Sequence, residues 1–296
     1  MIDPVILGHN QFIGVDHLTQ DKARNRVERF SDINKICDII RFSHDLGING
    51  MMISTHPKVK SIIEVIRENQ ASFGNLNFYP LIPYAQGYVK KANEKGVVAM
   101  VLDALETANF QMKLKMILKG GSSIIRQDIF SVLSTLIDVE LLPFKNLNVK
   151  AVFLHNILTD LALSLNARDM FEFFIDYIDS HYKAIPAFGT MNFVKLTKTF
   201  EEWGIDKPLV MASFNQAGFQ MNPSKEACEQ CLQKNGVEVL AMSTLAAGYL
   251  DPRTAYAYLF SQPNINSVVV GASTKEHLEE TYNIIQEFQV GNRELH

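Results

Sequence analysis

The segment Asn264-Ile-Asn-Ser-Val-Val-Val-Gly-Ala-Ser-Thr-Lys-Glu-His-Leu-Glu-Glu280 joins a short β-branched run, 267–270, through Gly271, Ala272 and Ser273 to the polar, Glu-rich opening of an amphipathic helix. A buried strand that turns through small residues straight into a helix start aims several free backbone N–H groups at one point, where an anion can sit. The same pattern closes the last βα unit of any α/β protein, capped by Ser273 or Thr274 with no ligand at all. The segment therefore speaks to architecture first and to function second.

Working outward, the length of 296 residues allows about three quarters of the unfolded surface to be buried. A single α/β barrel fits that length as well as two domains do. The net charge of −4, with 20% charged residues, leaves no basic patch of the kind nucleic acid requires. Apolar runs are broken by charge before the roughly 18 residues of a membrane span, and Met1-Ile-Asp-Pro-Val lacks the regions of a signal peptide. The expected setting is cytoplasmic, and the expected partner a small-molecule substrate. Cys37, Cys228 and Cys231 form no disulfide framework. The C-x-x-C of Cys228 and Cys231 lies in an amphipathic helical pattern and reads as two small helix residues, without the second pair that a zinc site needs.

Strand patterns fall at 5–8, 50–56, 77–84, 149–154, 184–188, 209–214, 237–242 and 267–270, with helical patterns between them. Residues 85–144 are mostly helical in pattern, and within them 97–102 fits a helix or a short strand, helix being the preferred reading. Eight strands alternating with helices is the number that closes a (β/α)₈ barrel. The expected fold is thus α/β, one TIM-barrel domain over 1–296 with a mainly helical insertion at about 85–144. An open doubly wound sheet is disfavoured, since no G-x-G-x-x-G follows any strand. Polar residues gather where strands end: His9, Asn10, Gln11, Asp16 and His17 after the first, Ser54, Thr55 and His56 after the second, His155 and Asn156 after the fourth. Barrels keep their sites on that face.

Four motifs follow in order: Val152-Phe-Leu-His-Asn156, Gly189-Thr-Met-Asn-Phe193, Ala241-Met-Ser-Thr-Leu-Ala-Ala-Gly-Tyr-Leu250 and Val268-Val-Val-Gly-Ala-Ser-Thr-Lys-Glu-His-Leu-Glu-Glu-Thr281. Their order and spacing resemble the aldo/keto reductases, NADP-dependent (β/α)₈ oxidoreductases, over about 149–285 and more faintly over 7–55. The resemblance implies that His155 polarises a substrate carbonyl oxygen and that Asn192 holds the nicotinamide carboxamide. It implies that Ser243 and Leu245 offer N–H groups to the pyrophosphate and that Ser273, Thr274 and Lys275, beside Gly271, surround the 2′-phosphate. Glu280 would approach the adenine. Helix starts and a lysine suit phosphate, and an amide suits an amide.

The chain departs from the family in its acid–base residues. The second strand, Met51-Met-Ile-Ser-Thr-His56, has neither the family's aspartate nor its proton-donating tyrosine, and the third ends in Ile82-Pro-Tyr84 instead of a lysine. Met242 replaces the tyrosine that stacks on nicotinamide, and the family's glutamine falls near Ala212. Hydride arriving at a carbonyl needs an acid at the oxygen. The candidates are Tyr84, His56 and His155. Two other readings of the same residues stand beside this one: a lyase, isomerase or metal-dependent hydrolase using His9, Asp16, His17, His56 and His155, and a ligand-binding barrel whose insertion serves as a lid or subunit contact.

Overall fold

A strand buried on both faces reads as a nearly unbroken apolar run, and parallel pairing with its neighbours satisfies its backbone. In the computed structural model, which describes residues 1–14, 28, 30–83, 123–233 and 236–293, this happens eight times. The elements in chain order are β1 (Val5–Gly8), α1 (Ile33–Asp45), β2 (Gly50–Ser54), α2 (Pro57–Glu68), β3 (Asn77–Ile82) and α3 (Ser123–Leu141). There follow β4 (Ala151–Leu154), α4 (Asn156–Ser164), α5 (Arg168–Tyr177), β5 (Ile185–Gly189), α6 (Phe193–Trp203) and β6 (Leu209–Ser213). The last are α7 (Lys225–Leu232), β7 (Glu238–Met242), α8 (Pro252–Phe260), β8 (Ile265–Val270) and α9 (Lys275–Arg293). A two-residue piece, Asn148–Val149, precedes β4 on the same neighbour, β3, so the two act as one strand interrupted at Lys150.

Each strand pairs in parallel with the next, and Val5, Ile6 and Leu7 of β1 pair with Val268, Val269 and Val270 of β8, which closes the ring. The expected eight-stranded barrel is the fold. The alternation of side chains divides the core in two. Ile6, Met52, Tyr79, Phe153, Met211 and Leu240 fill the barrel interior. Val5, Leu7, Met51, Val152, Val210 and Val239 point outward into the larger core under the helices. Cys228 and Cys231 are buried on the inner side of α7 as free thiols, Cys231 against the Thr197 hydroxyl at 2.9 Å, as their place in a helical pattern led us to expect. No helix among the described residues is long and apolar enough to cross a membrane.

The amino end of the barrel is sealed by Asp3. Its carboxylate accepts from both the Tyr79 hydroxyl and Asn77 Nδ2, the latter at 2.9 Å from each oxygen, and Lys150 Nζ lies 3.3 Å away. Asn148 extends the network to Asn77 at 2.6 Å, and burial together with Asp3 pushes the Tyr79 phenol far up from its ordinary pKa. The insertion's closing helix, α3, agrees with the helical pattern read there. The 97–102 question and the residues Asp16, His17 and Tyr84 lie outside the described residues. Asp3→Ala would leave a buried phenol, an amide and a lysine without their acceptor, so urea denaturation should register a loss of about 3 kcal/mol.

Candidate functional site

Side-chain parity carries the interior pattern up to the carboxyl rim. Residues two beyond Ile6, Met52, Ala187 and Met211 are Gly8, Ser54, Gly189 and Ser213, and Gly271 lies two beyond Val269. Neighbouring side chains use the room these glycines leave: Val269 lies 2.8 Å from where a Cβ of Gly8 would stand, and Met211 3.3 Å from that of Gly189. The larger residues of that layer are Leu81, two beyond Tyr79, His155, two beyond Phe153, and Met242, two beyond Leu240. Ala212, near which the family's glutamine falls in sequence, points outward into the helix-side core. The inward position on β6 is Ser213.

His56 and His155 are placed by the same device. Each ends a strand and caps the next helix, with Nδ1 accepting from the backbone N–H two residues on, Lys58 N at 3.0 Å and Ile157 N at 3.3 Å. A ring nitrogen that accepts carries no proton, so the neutral tautomer of both has its hydrogen on Nε2. Burial pushes His155 down to about 4, and burial followed by the Lys58 charge lowers His56. Both imidazoles are therefore neutral N–H donors at pH 7.

His9 has a different task. Its Nε2 lies 2.8 Å from Ser54 Oγ and accepts from Ser54 N at 3.3 Å, and the ring also bonds the Met52 backbone. It is buried, and burial, with smaller contributions from His56 and His155, lowers its pKa to about 4. The three histidines thus lie close together, with His9 stitching β1 to β2 beneath the other two. Among the described residues no group of three His, Cys, Asp or Glu is placed to hold a metal ion. The mouth is braced from outside as well. Lys58 Nζ donates to the carbonyls of Phe12, at 2.9 Å, and Phe30, and the Thr55 hydroxyl donates to Glu140 of α3.

Asn192 is held by a feature with no sequence motif of its own. Asp160, in the second turn of α4, accepts from Thr190 Oγ1 at 2.5 Å and from Met191 N at 3.0 Å, and Thr190 Oγ1 accepts from Asn192 N at 2.8 Å. Asn192 occupies the N-cap of α6 yet its side chain makes no capping bond, although asparagine is among the best caps. Helix α4 begins at His155 and carries Asp160, so one rigid element sets the imidazole and the Asn192 loop relative to each other.

The other predicted contacts lie on two adjacent loops, after β7 and β8. Ser243, Ala246 and Ala247 take φ of 55°, 45° and 59°, and Gly248 follows at 91°. Left-handed non-glycine residues are costly and collect where a loop is shaped for a ligand, and backbone turns of this kind aim N–H groups at anions. Ser243 Oγ also lies 3.4 Å from Gln220. After β8, Thr274 caps α9 by accepting from His277 N at 3.1 Å, Ser273 precedes it half-buried, and Lys275 lies with its ammonium 5.5 Å from the Phe42 ring centroid. Glu280 is exposed further along α9. The donor set suits a phosphorylated dinucleotide: a left-handed loop containing Ser243 and Leu245, a long helix start at Ser273 and Thr274, one lysine, and an uncommitted amide at Asn192. Gly271 is the exception to its expected role, because Gln11 lies in the space its missing side chain leaves, 2.9 Å from where a Cβ would stand.

No protein-family model matches the chain, and no curated protein matches it. Solved structures do. PA4992 from Pseudomonas aeruginosa, assigned to the aldo-keto reductases, superposes with a TM-score of 0.60 at 12% identity, covering 97% of this chain and 91% of that one. The aldo-keto reductase AKR11C1 from Bacillus halodurans gives 0.55 at 11% identity over 97% and 91%. A variant of Gox0644 in complex with NADPH gives 0.50 at 11% over 95% and 83%. At such identities the likeness is one of fold, the (β/α)₈ barrel that this chain shares with those aldo-keto reductase structures.

Two measurements check this geometry. Asp160→Ala should lower stability by about 2 kcal/mol in urea denaturation, since it strips acceptors from Thr190 and Met191. His9 and His155 bind a proton less readily folded than unfolded, so their neutral forms are tolerated fully above pH 6.5, and stability falls as pH drops from 6.5 towards 4. The slope should approach roughly 1.4 kcal/mol per pH unit for each group, and His155→Gln should remove its share in denaturation curves recorded across that window.

Proposed function

We propose that this chain, on a barrel of the aldo/keto-reductase form, is an NADP-dependent oxidoreductase interconverting a small carbonyl compound and its alcohol, with a histidine as the proton donor. The observation that carries this reading is the strand-end cap of His155, whose Nδ1 accepts from Ile157 N and so leaves its neutral imidazole with the hydrogen on Nε2. Tyr84 remains the third candidate donor.

NADP, when bound, supplies the hydride chemistry. Ser243 and Leu245 would hold its pyrophosphate, and Ser273, Thr274 and Lys275 its 2′-phosphate, with Glu280 towards the adenine. Gly271 contributes by admitting Gln11, and Asn192, fixed through Thr190 and Asp160, would orient the carboxamide. His155 donates a hydrogen bond from Nε2 to the substrate oxygen, which strengthens as negative charge develops there. A neutral imidazole is a good hydrogen-bond donor but a weak acid, so Nε2 would release its proton only to an oxygen that has become as basic as an alkoxide, and the imidazolate left behind would recover a proton from water with release of hydroxide. His56 can serve as a second donor from the β2 side.

A fluorescence titration should show saturable NADPH binding, and its absence overturns the proposal. With a carbonyl substrate, His155→Gln should lower kcat/KM by on the order of 10²-fold. For carbonyl reduction, kcat/KM should rise as pH drops through the depressed His155, with the limb centred near pH 4 in place of 6.5, because the imidazolium is the stronger acid. A limb at 6.5 would assign the proton to another group.

A further inference from the structure

Among the described residues, two side-chain polar atoms are buried with no hydrogen-bond partner, Gln11 Oε1 and Ser213 Oγ, and both are at the mouth. Buried polar atoms are paired in the large majority of cases, so an orphan calls for a cause. Ser213 is 3% exposed at the end of β6. Gln11 lies in the turn after β1, where Phe12 N donates to His9 O at 2.8 Å and Lys58 holds the Phe12 carbonyl. Its amide crosses the end of β8, with Nε2 2.9 Å from the Cβ that Gly271 lacks. Gly271 is not among the glycines with positive φ, so what it offers is room, and the room is taken by Gln11. An apolar side chain of the same shape would pack there without leaving an oxygen unbonded.

The ring order gives these orphans a direction. In a closed barrel of eight strands, β8 stands across from β4 and β6 across from β2. Gln11, over the end of β8, therefore faces His155, and Ser213 faces His56. A molecule whose oxygen meets a histidine extends its remaining groups towards the orphan pair.

Resting on the oxidoreductase reading, we infer that Gln11 is a specificity-determining residue whose carboxamide oxygen accepts a hydrogen bond from an O–H or N–H group of the bound molecule, with Ser213 as its companion. That group belongs either to a hydroxylated carbonyl substrate or to the ribose or carboxamide of the cofactor. The shared chemistry is a hydrogen-bond donor placed across the mouth from the reacting oxygen.

The test compares wild type, Gln11→Leu and Gln11→Met, two apolar side chains of similar length that remove the carboxamide. Affinity for NADPH is read by fluorescence, and discrimination by kcat/KM for D-glyceraldehyde against propanal, which lacks the hydroxyls. If the donor is the substrate's, wild type prefers glyceraldehyde by on the order of 10²-fold or more. Both variants then lose most of that preference with NADPH affinity unchanged. If it is the cofactor's, both variants weaken NADPH binding by about 10-fold or more and leave the preference as it was. In either case Gln11→Leu leaves the melting temperature unchanged or raised. Unchanged affinity and preference in Gln11→Leu, or a lowered melting temperature, overturns the inference. Should wild type neither bind NADPH nor reduce either aldehyde, the oxidoreductase reading fails, and the inference is decided by thermal shifts with the two aldehydes alone. Glyceraldehyde must then stabilise wild type more than propanal does, and Gln11→Leu must erase the difference; equal shifts in wild type overturn it.

Discussion

The pairing of Val5–Leu7 with Val268–Val270 turns a row of parallel strands into a ring, and the mouth exists only because of it. Closure leaves no sheet edge and gives each strand end a fixed neighbour and a fixed opposite. Period-two alternation then decides which residues look inward at the rim, small ones at Gly8, Ser54, Gly189 and Ser213 and larger ones at Leu81, His155 and Met242. The amino end is treated differently. Asp3, Tyr79, Asn77 and Lys150 plug it with a charged network.

Within that ring, the chemistry available at the mouth is set by backbone requirements. A helix start has unpaired N–H groups, and here two of them are answered by imidazoles in place of the usual Ser, Thr or Asp. Capping fixes ring orientation and tautomer at once, and burial keeps the rings uncharged. The same environment explains why His9, of identical composition, has a different role. Its ring is hydrogen-bonded to Ser54 and to the Met52 backbone of β2, leaving it as a rivet between strands. Three histidines in one neighbourhood thus divide into two helix caps and one link between strands.

Much of the fold was readable from residues alone, since runs such as Gly50-Met-Met-Ile and Val268-Val-Val, buried on both faces, announce parallel strands directly. The strand-end position of His56 and His155 was equally legible, because polar residues following such runs fall on one rim. The brace through Asp160 was not: an acidic residue in an amphipathic helix looks like a solvated one, and its partners Thr190 and Met191 are thirty residues away. Ser213 was missed for a geometric reason, since a one-residue displacement along a strand exchanges inside for outside, and Ala212 lies on the other face. Gln11 was visible as part of a polar loop, but its unsatisfied oxygen emerges only when the chain has been wrapped around Gly271.

Helix α4 joins His155 at its head to Asp160 five residues on, a rise of about 7 Å. Each residue inserted between them would swing the carboxylate through about 100° around the helix axis and off the Thr190 loop. Substitutions on the outer face of this turn and a half are free to accumulate, whereas a gain or loss of even one residue is forbidden. The segment behaves as a gauge block, and descendants of this chain can drift widely in composition while its length there stays frozen.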